Sequence, residues 1–310
     1  TGFMTGVIPV DKPKGQTSRQ TTSFVSRLAG KVKAGHAGTL DPMATGVLPV
    51  LLGAATRLCD LLPGDKTYVV TFRTGLATDS GDITGNVLYE RDADIPSERV
   101  MEAALSFVGR IMQVPPMYSA IKRDGQPLYR LARQGITVER QPRPADIYSI
   151  TDFEALPGGE YRMTVRCSKG TYMRSLCDDI GAKLGVGAVM TALRRTESAG
   201  IPSTRCLSPD ELCALSEAGR LTEALIPPEE LFSHCPRVGV EKSGVRYYRN
   251  GGVIDARRLS LRPEEGTIYR VYGPDSAFLG LGRLWRAEAG DGIAGLKSVW
   301  SPGSGAHEDH

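Results

Sequence analysis

The amino-acid sequence predicts an α+β fold, in which a larger domain with both helices and strands is followed by a small β-rich module. The chain has 310 residues, enough for two domains of roughly 100–200 residues each. Strand-like and helix-like segments alternate without the regular strand-helix-strand order of a doubly wound sheet. After about Pro236 the sequence changes to short β-like runs separated by Gly and Pro. We therefore expect a boundary near residues 233–236, with a larger domain at 4–234, a β-rich module at 235–300 and a disordered tail at 301–310.

The first part of the larger domain contains strand, helix and loop patterns. An apolar run predicts a strand at residues 6–11, which ends in an Asp-Lys-Pro turn. A helix is predicted from Ser18, because apolar residues recur at helical spacing until Gly30, a typical stop. Residues 35–46 are rich in Gly, Thr and Pro and predict an extended loop. Two further strands are expected at residues 47–52 and 66–74.

The later elements are predicted from the same patterns. A helix is expected over residues 97–109 with Ser97 as its N-cap, and a half-buried strand over residues 161–167, where apolar and polar residues alternate. Another helix is expected from Thr171 to Leu184, closed by Gly185. The remaining expectations are a helix that starts at the capping box Ser208-Pro-Asp-Glu and β-like runs at residues 267–272 and 278–284.

The composition limits the class of protein. With 41% hydrophobic and 24% charged residues the chain is ordinary for a globular protein, and its net charge of +3 is only mildly basic. A nucleic-acid partner would therefore need a local cationic surface. The six cysteines are scattered without a C-x-x-C pair, and the longest apolar run, residues 47–55, is half a membrane span. We expect a soluble, cytoplasmic protein with no membrane segment and no disulfide framework.

Several familiar catalytic mechanisms are excluded by missing residues. Ahead of the domain boundary the only histidine is His36, and the sequence has no G-x-S-x-G elbow. It has no Walker A sequence, and too few residues follow the G-x-G-x-x-G match at 290–295 for a dinucleotide-binding unit. His and carboxylate residues are not clustered at metal-ligand spacing. We therefore expect neither a cofactor nor a metal ion.

The loop at residues 35–46 is the remaining candidate for a catalytic site. It holds one carboxylate, Asp41, and one imidazole, His36. Proline after Asp41 favours an extended backbone, and the glycines of the loop allow a bulky partner to approach. The same residues also fit a turn or a helix cap, in which Asp41 has only a structural role. The residues alone leave both interpretations open.

This loop and several other segments resemble the motifs of TruB-type tRNA pseudouridine synthases. Residues 35–46 are similar to the family's G-H-x-G-x-L-D-P motif, although position 37 is Ala where relatives often have Thr. The matching motifs follow the family's order over residues 6–195, which does not arise by chance. The other matching segments are Val10-Asp-Lys-Pro-Lys-Gly15, Lys66-Thr-Tyr68, Pro116-Met-Tyr-Ser-Ala-Ile-Lys122, Cys167-Ser-Lys-Gly-Thr-Tyr-Met-Arg174 and Leu193-Arg-Arg195.

The resemblance implies an enzyme that isomerises a tRNA uridine, at position 55 of the T loop, to pseudouridine without a cofactor. It implies a catalytic domain with a mixed, mainly antiparallel sheet, flanking helices and an RNA-gripping insertion, followed by a PUA-like RNA-binding module. Asp41 would be the nucleophile, Tyr68 would stack on the flipped-out uracil and take part in proton transfer, and Arg174 would pair with Asp41. The residues expected to bind the substrate are His36, Tyr172, Leu193, Lys12 and Arg195.

The segment 119–143 is locally basic. It contains six basic residues and two acidic ones, a larger net charge than that of the whole chain. Composition alone fits a solvated charged face equally well, but the resemblance implies an RNA clamp on the T stem-loop of tRNA, in a monomer that needs no protein partner. The clamp residues are expected to be Lys122, Arg123, Arg130 and Arg133.

Arg174 breaks a local rule of helix composition. If Thr171 caps the helix, Arg174 occupies its third position, where Glu or Gln is favoured and a cation opposes the helix dipole. We expect a charge-assisted, bidentate pair with Asp41 as the compensation. Such a pair would lower the pKa of Asp41 and keep it anionic. The alternative is a helix-end arginine that simply reaches solvent.

Three other functions remain open at this point. The first is a non-catalytic RNA-binding or RNA-folding protein, which would tolerate loss of Asp41. The second is a guide-RNA-dependent pseudouridine synthase, which acts within a multi-protein particle. The third is a nucleoside or sugar hydrolase, which would need a second carboxylate from Asp79 or Asp82. We expect those two aspartates to support the Tyr68 region or to cap a turn instead.

Overall fold

The computed structural model describes residues 4–119, 121–259, 264–286 and 294–303. Most of the predicted tail, residues 304–310, lies outside the described residues, and so do residues 290–293 of the G-x-G-x-x-G match.

The described strands, in chain order, are β1 (Gly6–Lys12), β2 (Ala34–His36), β3 (Thr45–Leu52), β4 (Lys66–Thr74), β5 (Leu76–Thr78), β6 (Val87–Glu90), β7 (Gly109–Gln113), β8 (Lys122–Arg123), β9 (Gln126–Pro127), β10 (Arg143–Leu156), β11 (Glu160–Cys167), β12 (Ala188–Ser198), β13 (Ile201–Pro202), β14 (Arg237–Gly239), β15 (Ile254–Asp255), β16 (Ile268–Tyr272), β17 (Phe278–Arg286) and β18 (Ala294–Trp300). The described α-helices are α1 (Ser18–Leu28), α2 (Ser97–Leu105), α3 (Leu128–Arg133), α4 (Met173–Leu184), α5 (Pro209–Glu217), α6 (Pro228–Leu231) and α7 (Lys242–Arg249). Short 3₁₀ helices occupy Gly53–Leu61, Ser203–Arg205, Leu221–Ala224 and Ala256–Leu259.

Most of the predicted local elements are confirmed, and local chemistry explains them. Thr17 and Gln20 form a reciprocal capping box at the start of α1, and the Ser208 hydroxyl accepts a hydrogen bond from the Glu211 amide at the start of α5. Alternate residues of β4 and β11 are buried, as the period of a half-buried strand requires. The predicted strands of the β-rich module correspond to β16 and β17.

Three predicted boundaries are wrong. The helix expected to reach residue 109 ends at Leu105, because Gly109 adopts a positive φ of 116° and starts β7. Helix α4 is capped by Tyr172 rather than Thr171, whose hydroxyl donates to the Ser168 carbonyl at 2.9 Å. The loop expected over residues 35–46 begins later than predicted, because its first two residues belong to β2 (Ala34–His36), which pairs with β3.

The larger sheet has nine strands within the described residues, in the order β1-β3-β12-β4-β11-β10-β7, with β2 beside β3 and β13 beside β12. Every described pairing in it is antiparallel except that of β12 with β3. The expected mixed, mainly antiparallel sheet is therefore confirmed.

Strand β12 lies inside this sheet, between β3 and β4, and was not predicted from the sequence. It joins β3 through the parallel register pairs Arg194–Thr45 and Arg195–Gly46. Gly46 has a φ of 108°, and a Cβ atom at this position would lie 2.1 Å from the Arg195 carbonyl oxygen. Only glycine allows this approach. As a result the loop that carries Asp41 leads directly into β3, beside the interior strand β12.

The β-rich C-terminal module is a five-stranded sheet in the order β14-β16-β17-β18-β15 within the described residues. It packs on the larger domain rather than apart from it. Leu281 and Trp300 share a hydrophobic cluster with Val47 and Leu58 of the larger domain, and the Trp300 indole donates to the Ala54 carbonyl at 2.9 Å. The two parts therefore share buried surface. In the described part of the chain, no helix is long and apolar enough to cross a membrane.

Candidate active site

A cavity of about 330 Å³ opens where the loop after β2, the first residues of β4, strand β12 and the turn before α4 meet. Five of the residues predicted from the sequence line it, although they are far apart along the chain. These are Asp41, Tyr68, Tyr172, Arg174 and Leu193.

Contacts on both sides of Asp41 hold it at the wall of this cavity. Three residues after Asp41 in the chain, the Ala44 amide donates to the Asp41 carbonyl at 2.9 Å and closes a turn. Just before Asp41, the Ser18 hydroxyl donates to the Leu40 carbonyl and accepts from the Leu40 amide, both at 2.8 Å. Ser18 is the first residue of α1, so the loop is tied to that helix and Asp41 has a defined orientation.

Arg174 contacts three groups around Asp41. Its Nε lies 3.1 Å from Asp41 Oδ2, while Nη1 donates to the Ser80 carbonyl at 3.4 Å and Nη2 to the Tyr118 carbonyl. The Arg174 side chain is only 6% exposed, so it does not reach solvent. The expected ion pair is present, but the expected bidentate geometry is wrong, because the two Nη groups are occupied by backbone carbonyls.

The pKa of Asp41 is raised above its usual value, which contradicts the direction expected from the sequence. Burial is the largest cause and raises the pKa of Asp41; the positive charge of Arg174 lowers it, the negative charge of Asp82 raises it through like-charge repulsion, and the positive charge of Lys12 lowers it. The ion pair acts in the expected direction, but desolvation of the carboxylate outweighs it.

Two tyrosines and a leucine provide the other surfaces of the cavity. Tyr68 is 7% exposed, and burial raises its pKa although the charge of Arg195 lowers it. Burial also raises the pKa of Tyr172, whose backbone amide is held by Gln113 Oε1 at 3.0 Å. Leu193 is 8% exposed. Both phenols therefore stay protonated at neutral pH, and the three side chains form an apolar and aromatic cleft beside Asp41.

Lys12 and Arg195 were expected to bind the substrate, but the structure places both of them behind the Asp41 loop. Both side chains are fully buried and neither lines the cavity. Lys12 Nζ donates to the carbonyls of Gln16 at 2.7 Å, Pro13 at 2.9 Å and Pro42 at 3.4 Å. Burial lowers the Lys12 pKa to about 8. Its ammonium therefore holds the residue that follows Asp41.

Arg195 has a similar structural role on the other side of the loop. Its Nε donates to the Val47 carbonyl at 2.8 Å and its Nη2 to the Gly38 carbonyl at 2.9 Å. In the sheet register it lies opposite Tyr68. The two buried cations thus hold the Asp41 loop from the side that faces away from the cavity. The sequence did not reveal that they would be buried.

His36 lies in β2, outside the cavity lining. Its Nδ1 is 3.0 Å from the Thr22 hydroxyl, which itself donates to the Ser18 carbonyl, so Nδ1 is the donor. Its Nε2 lies 3.3 Å from the Thr39 hydroxyl. Burial and the charge of Arg195 lower the pKa of His36. The ring is therefore neutral at neutral pH.

The four predicted clamp residues lie on the insertion between β7 and β10, away from the cavity lining. Their side chains are exposed, and Arg133 stacks over the Tyr129 ring with its Cζ 5.5 Å from the ring centre. Lys122 and Arg123 form β8, and Arg130 and Arg133 lie on α3. The insertion thus presents cations to solvent.

Several lining residues were not singled out from the sequence. They are Cys59, Lys66, Tyr118, Ser119, Lys169 and Met173. All except Cys59 lie inside the matching motifs, so the signal was their position in a motif rather than their residue type. Tyr118 begins the insertion and binds Arg174 through its carbonyl, which connects the insertion to the ion pair.

Comparisons with known proteins identify the family of the chain. The TruB family pseudouridylate synthase N-terminal domain matches residues 26–173, and the tRNA pseudouridylate synthase B C-terminal domain matches residues 174–233. The chain is 43% identical over 283 residues to tRNA pseudouridine synthase B of Clostridium perfringens (strain 13 / Type A), covering 90% of this chain and 95% of the relative. It is 46% identical over 250 residues to the protein of that name from Dechloromonas aromatica (strain RCB), covering 80% of this chain and 83% of the relative.

Solved structures give the same result at lower identity. The chain is similar to a protein in the "Crystal Structure of a Cbf5-Nop10-Gar1 Complex", with a TM-score of 0.72 and 28% identity over 94% of this chain and 83% of that one. It is also similar to a chain in the "Structure of H/ACA RNP bound to a substrate RNA containing 2'-deoxyuridine", with a TM-score of 0.71, 27% identity and coverage of 96% and 85%. The matched domains and the identity over most of both chains confirm the resemblance found in the motifs: this chain belongs to the TruB family of pseudouridylate synthases.

Proposed function

We propose that the protein converts the T-loop uridine at position 55 of tRNA to pseudouridine, with Asp41 as the nucleophile and the target base flipped out of the RNA. The observation that carries the proposal is the Asp41 carboxylate, oriented by Arg174 Nε at 3.1 Å, in a cavity with an aromatic wall. The curated relatives named tRNA pseudouridine synthase B support tRNA as the substrate.

The reaction fits a site with one carboxylate. The C1′–N1 bond of the target nucleotide breaks, the uracil turns, and a C1′–C5 bond forms; the proton at C5 leaves and N1 gains a proton. No electron is gained or lost overall, so neither an oxidant nor a reductant is required. The Asp41 carboxylate attacks either C1′ of the ribose or C6 of the uracil and is released at the end.

The aromatic wall supports the binding of an extruded base. Flipping a base out of a folded loop costs a few kcal/mol, and stacking on an aromatic ring returns about 1–3 kcal/mol. Tyr68 and Tyr172 offer rings, and Leu193 closes the pocket. Because burial raises the pKa of Tyr68, its phenol is a proton donor in the resting enzyme, and it takes part in proton transfer in that form.

Other parts of the chain hold the RNA. Lys122, Arg123, Arg130 and Arg133 grip phosphates of the T stem-loop, and the C-terminal module acts as a PUA-like RNA-binding unit. His36 supports the RNA loop at the place that the target base leaves. The protein works as a monomer in the cytoplasm, without a protein partner, metal ion or cofactor.

The test is incubation of the purified chain with unmodified tRNA, followed by chemical mapping of pseudouridine. We expect product at position 55 from the protein alone. Product elsewhere would contradict the substrate position, and no product would contradict the activity on bare tRNA.

A guide-RNA-dependent enzyme is the second candidate, because the solved relatives include chains in complexes with Nop10 and Gar1 and in an H/ACA RNP. Identity to those chains is 27–28%, against 43–46% to the curated tRNA enzymes. Activity that appears only after a guide RNA and partner proteins are added would favour this candidate.

The two remaining alternatives have less support. Asp79 accepts from the Asn86 amide at 2.8 Å, and Asp82 accepts from the Thr84 amide at 2.8 Å, so both stabilise one turn. Among the described residues that line the cavity, Asp41 is the one carboxylate, which does not fit a hydrolase with two. A non-catalytic RNA-folding protein would keep its full activity after Asp41→Asn.

A further inference from the structure

Two lysines line the cavity without a carboxylate partner. Lys66 is the first residue of β4, and Lys169 lies in the turn between β11 and α4. Within the described residues, no carboxylate oxygen lies within 4.0 Å of either ammonium. Asp65, the acidic neighbour of Lys66, instead contacts Arg166 at 3.5 Å and the Tyr148 hydroxyl at 3.1 Å. Asp65 still acts on Lys66 electrostatically, but among the described residues neither lysine has an ion pair that would compete with a bound anion.

The two lysines lie close together around Gly64. Lys66 Nζ donates to the Gly64 carbonyl at 3.0 Å, and a Cβ atom on Gly64 would lie 3.0 Å from Lys169 Cβ. Both lysines also act electrostatically on Cys59, another lining residue. The charge of Lys169 contributes to lowering the pKa of Lys66, so an anion that binds beside both lysines is stabilised by both charges.

A third cation lies directly behind Lys66. Arg195 is fully buried, and its charge and a side-chain hydrogen bond lower the pKa of the lining residue Tyr68. A Cβ atom on the lining residue Gly38 would meet Lys66 Cε at 3.0 Å and Arg195 Nη1 at 3.2 Å. Burial, then the charge of Arg195, lower the pKa of Lys66. The positive charge of Arg195 therefore acts on two residues of the cavity lining, Lys66 and Tyr68.

The N-terminus of α4 faces the same cavity. Gly170, Thr171, Tyr172 and Met173 line it, and this twelve-residue helix has neither a side-chain cap nor an acidic residue in its first turn. Free amide groups at a helix N-terminus favour an anion. The helix end therefore adds to the positive potential of the three cations.

We propose that Lys66 and Lys169 form a binding site for one phosphodiester of the RNA strand, the phosphate next to the target nucleotide. A nucleotide whose base lies against Tyr68 and whose ribose lies at Asp41 carries a phosphate on each side, and Lys66 is two residues from Tyr68 in the chain. The site rests on the proposed function. It pulls the backbone of the flipped nucleotide toward the cavity and so keeps C1′ at Asp41.

The test uses the full chain with Asp41→Asn, which binds RNA without turnover, and a T stem-loop RNA with a neutral methylphosphonate linkage 5′ or 3′ of the target uridine. At one of these positions the neutral linkage should weaken binding by about tenfold, because a hydrogen-bonded ion pair is lost. With Lys66→Gln and Lys169→Gln added, the same linkage should weaken binding by less than about twofold.

Lys183→Gln is the matched control, since Lys183 lies on the same helix about 15 Å from its N-terminus. This variant should keep the tenfold loss. The thermal midpoint of the double lysine variant should be unchanged or higher, because a repulsion is removed. Equal losses with and without the two lysines, or no loss at either linkage, would overturn the site. This binding test is independent of the pseudouridine assay, and a failed pseudouridine assay would overturn the proposed function instead. If the RNA does not bind at all, both the phosphate site and the proposed function are overturned.

Discussion

Arg174 provides the sharpest test of how Asp41 is held, because its guanidinium joins three groups. Nε lies 3.1 Å from Asp41 Oδ2, and the Nη groups donate to the carbonyls of Ser80 and Tyr118. In Arg174→Lys a single ammonium keeps the charge but cannot reach all three acceptors. Each of the two lost hydrogen bonds to a carbonyl contributes about 0.5–1.5 kcal/mol. We therefore expect the variant to fold with a free energy of unfolding about 1–3 kcal/mol lower.

Arg174→Met removes the charge as well. Two unit charges 3.1 Å apart attract by about 5 kcal/mol at an effective dielectric of about 20. The Asp41 side chain is 36% exposed, so solvent screening leaves about 1–2 kcal/mol of this attraction. Burial already raises the pKa of Asp41, and loss of the cation raises it further. Because the attacking form is the anion, the rate falls as the pH drops through this pKa, so the midpoint of the acid limb should move to higher pH.

The assay is single-turnover release of tritium from tRNA labelled at C5 of uridine, measured across the acid limb. Both variants should bind tRNA like the wild type and react about 100-fold more slowly, since Asp41 loses its orientation. Arg174→Lys should keep the wild-type midpoint, and only Arg174→Met should shift it. If Arg174→Met keeps both the wild-type rate and the wild-type midpoint, Arg174 neither orients Asp41 nor stabilises its anion, and the reasoning fails.

Four further expectations concern the nucleophile, the clamp, metal independence and the sheet. Asp41→Asn should fold and bind tRNA but make no pseudouridine; more than a few per cent of wild-type turnover would remove Asp41 as the nucleophile. Arg130→Ala with Arg133→Ala should flatten the log–log salt dependence of tRNA binding by up to about two units, and an unchanged slope would assign both residues to a solvated face. Activity on a minimal stem-loop should survive exhaustive chelation, and its loss would contradict a metal-free mechanism. Gly46→Ala should lower the free energy of unfolding in urea by about 2–5 kcal/mol, from the φ of 108° and the clash with the Arg195 carbonyl; a loss below about 1 kcal/mol would contradict that close contact.

The local elements were predictable because their causes lie within a few residues of each other. Alternating burial in β4 and β11 follows from alternating residue types, and Ser208 starts α5 through a contact with Glu211. The boundaries that were wrong depend on neighbours in space. Helix α2 stops at Leu105 because the next residues lead into β7, which pairs with β10.

The candidate site was predictable to the extent that it depends on motifs. The motif resemblance singled out five residues that the fold brings to one cavity, and the helix-dipole argument anticipated that Arg174 pairs with Asp41. The sequence could not show that Lys12 and Arg195 are buried behind the loop. Their residue type favours the surface, and only the carbonyls of Pro42, Gly38 and Val47, collected from separate segments, make their burial possible.

The sequence by itself determined the order of the motifs, the α+β class, the β-rich C-terminal module and the identity of the single carboxylate in the loop. The tertiary structure alone decided the position of β12 between β3 and β4, the three-way contact of Arg174 and the raised pKa of Asp41. These features depend on long-range packing and on how much water the fold removes from each charge. The motifs specify which groups can meet. Only the packed chain sets how far Asp41 is desolvated, and this desolvation determines how much free energy its ionisation costs.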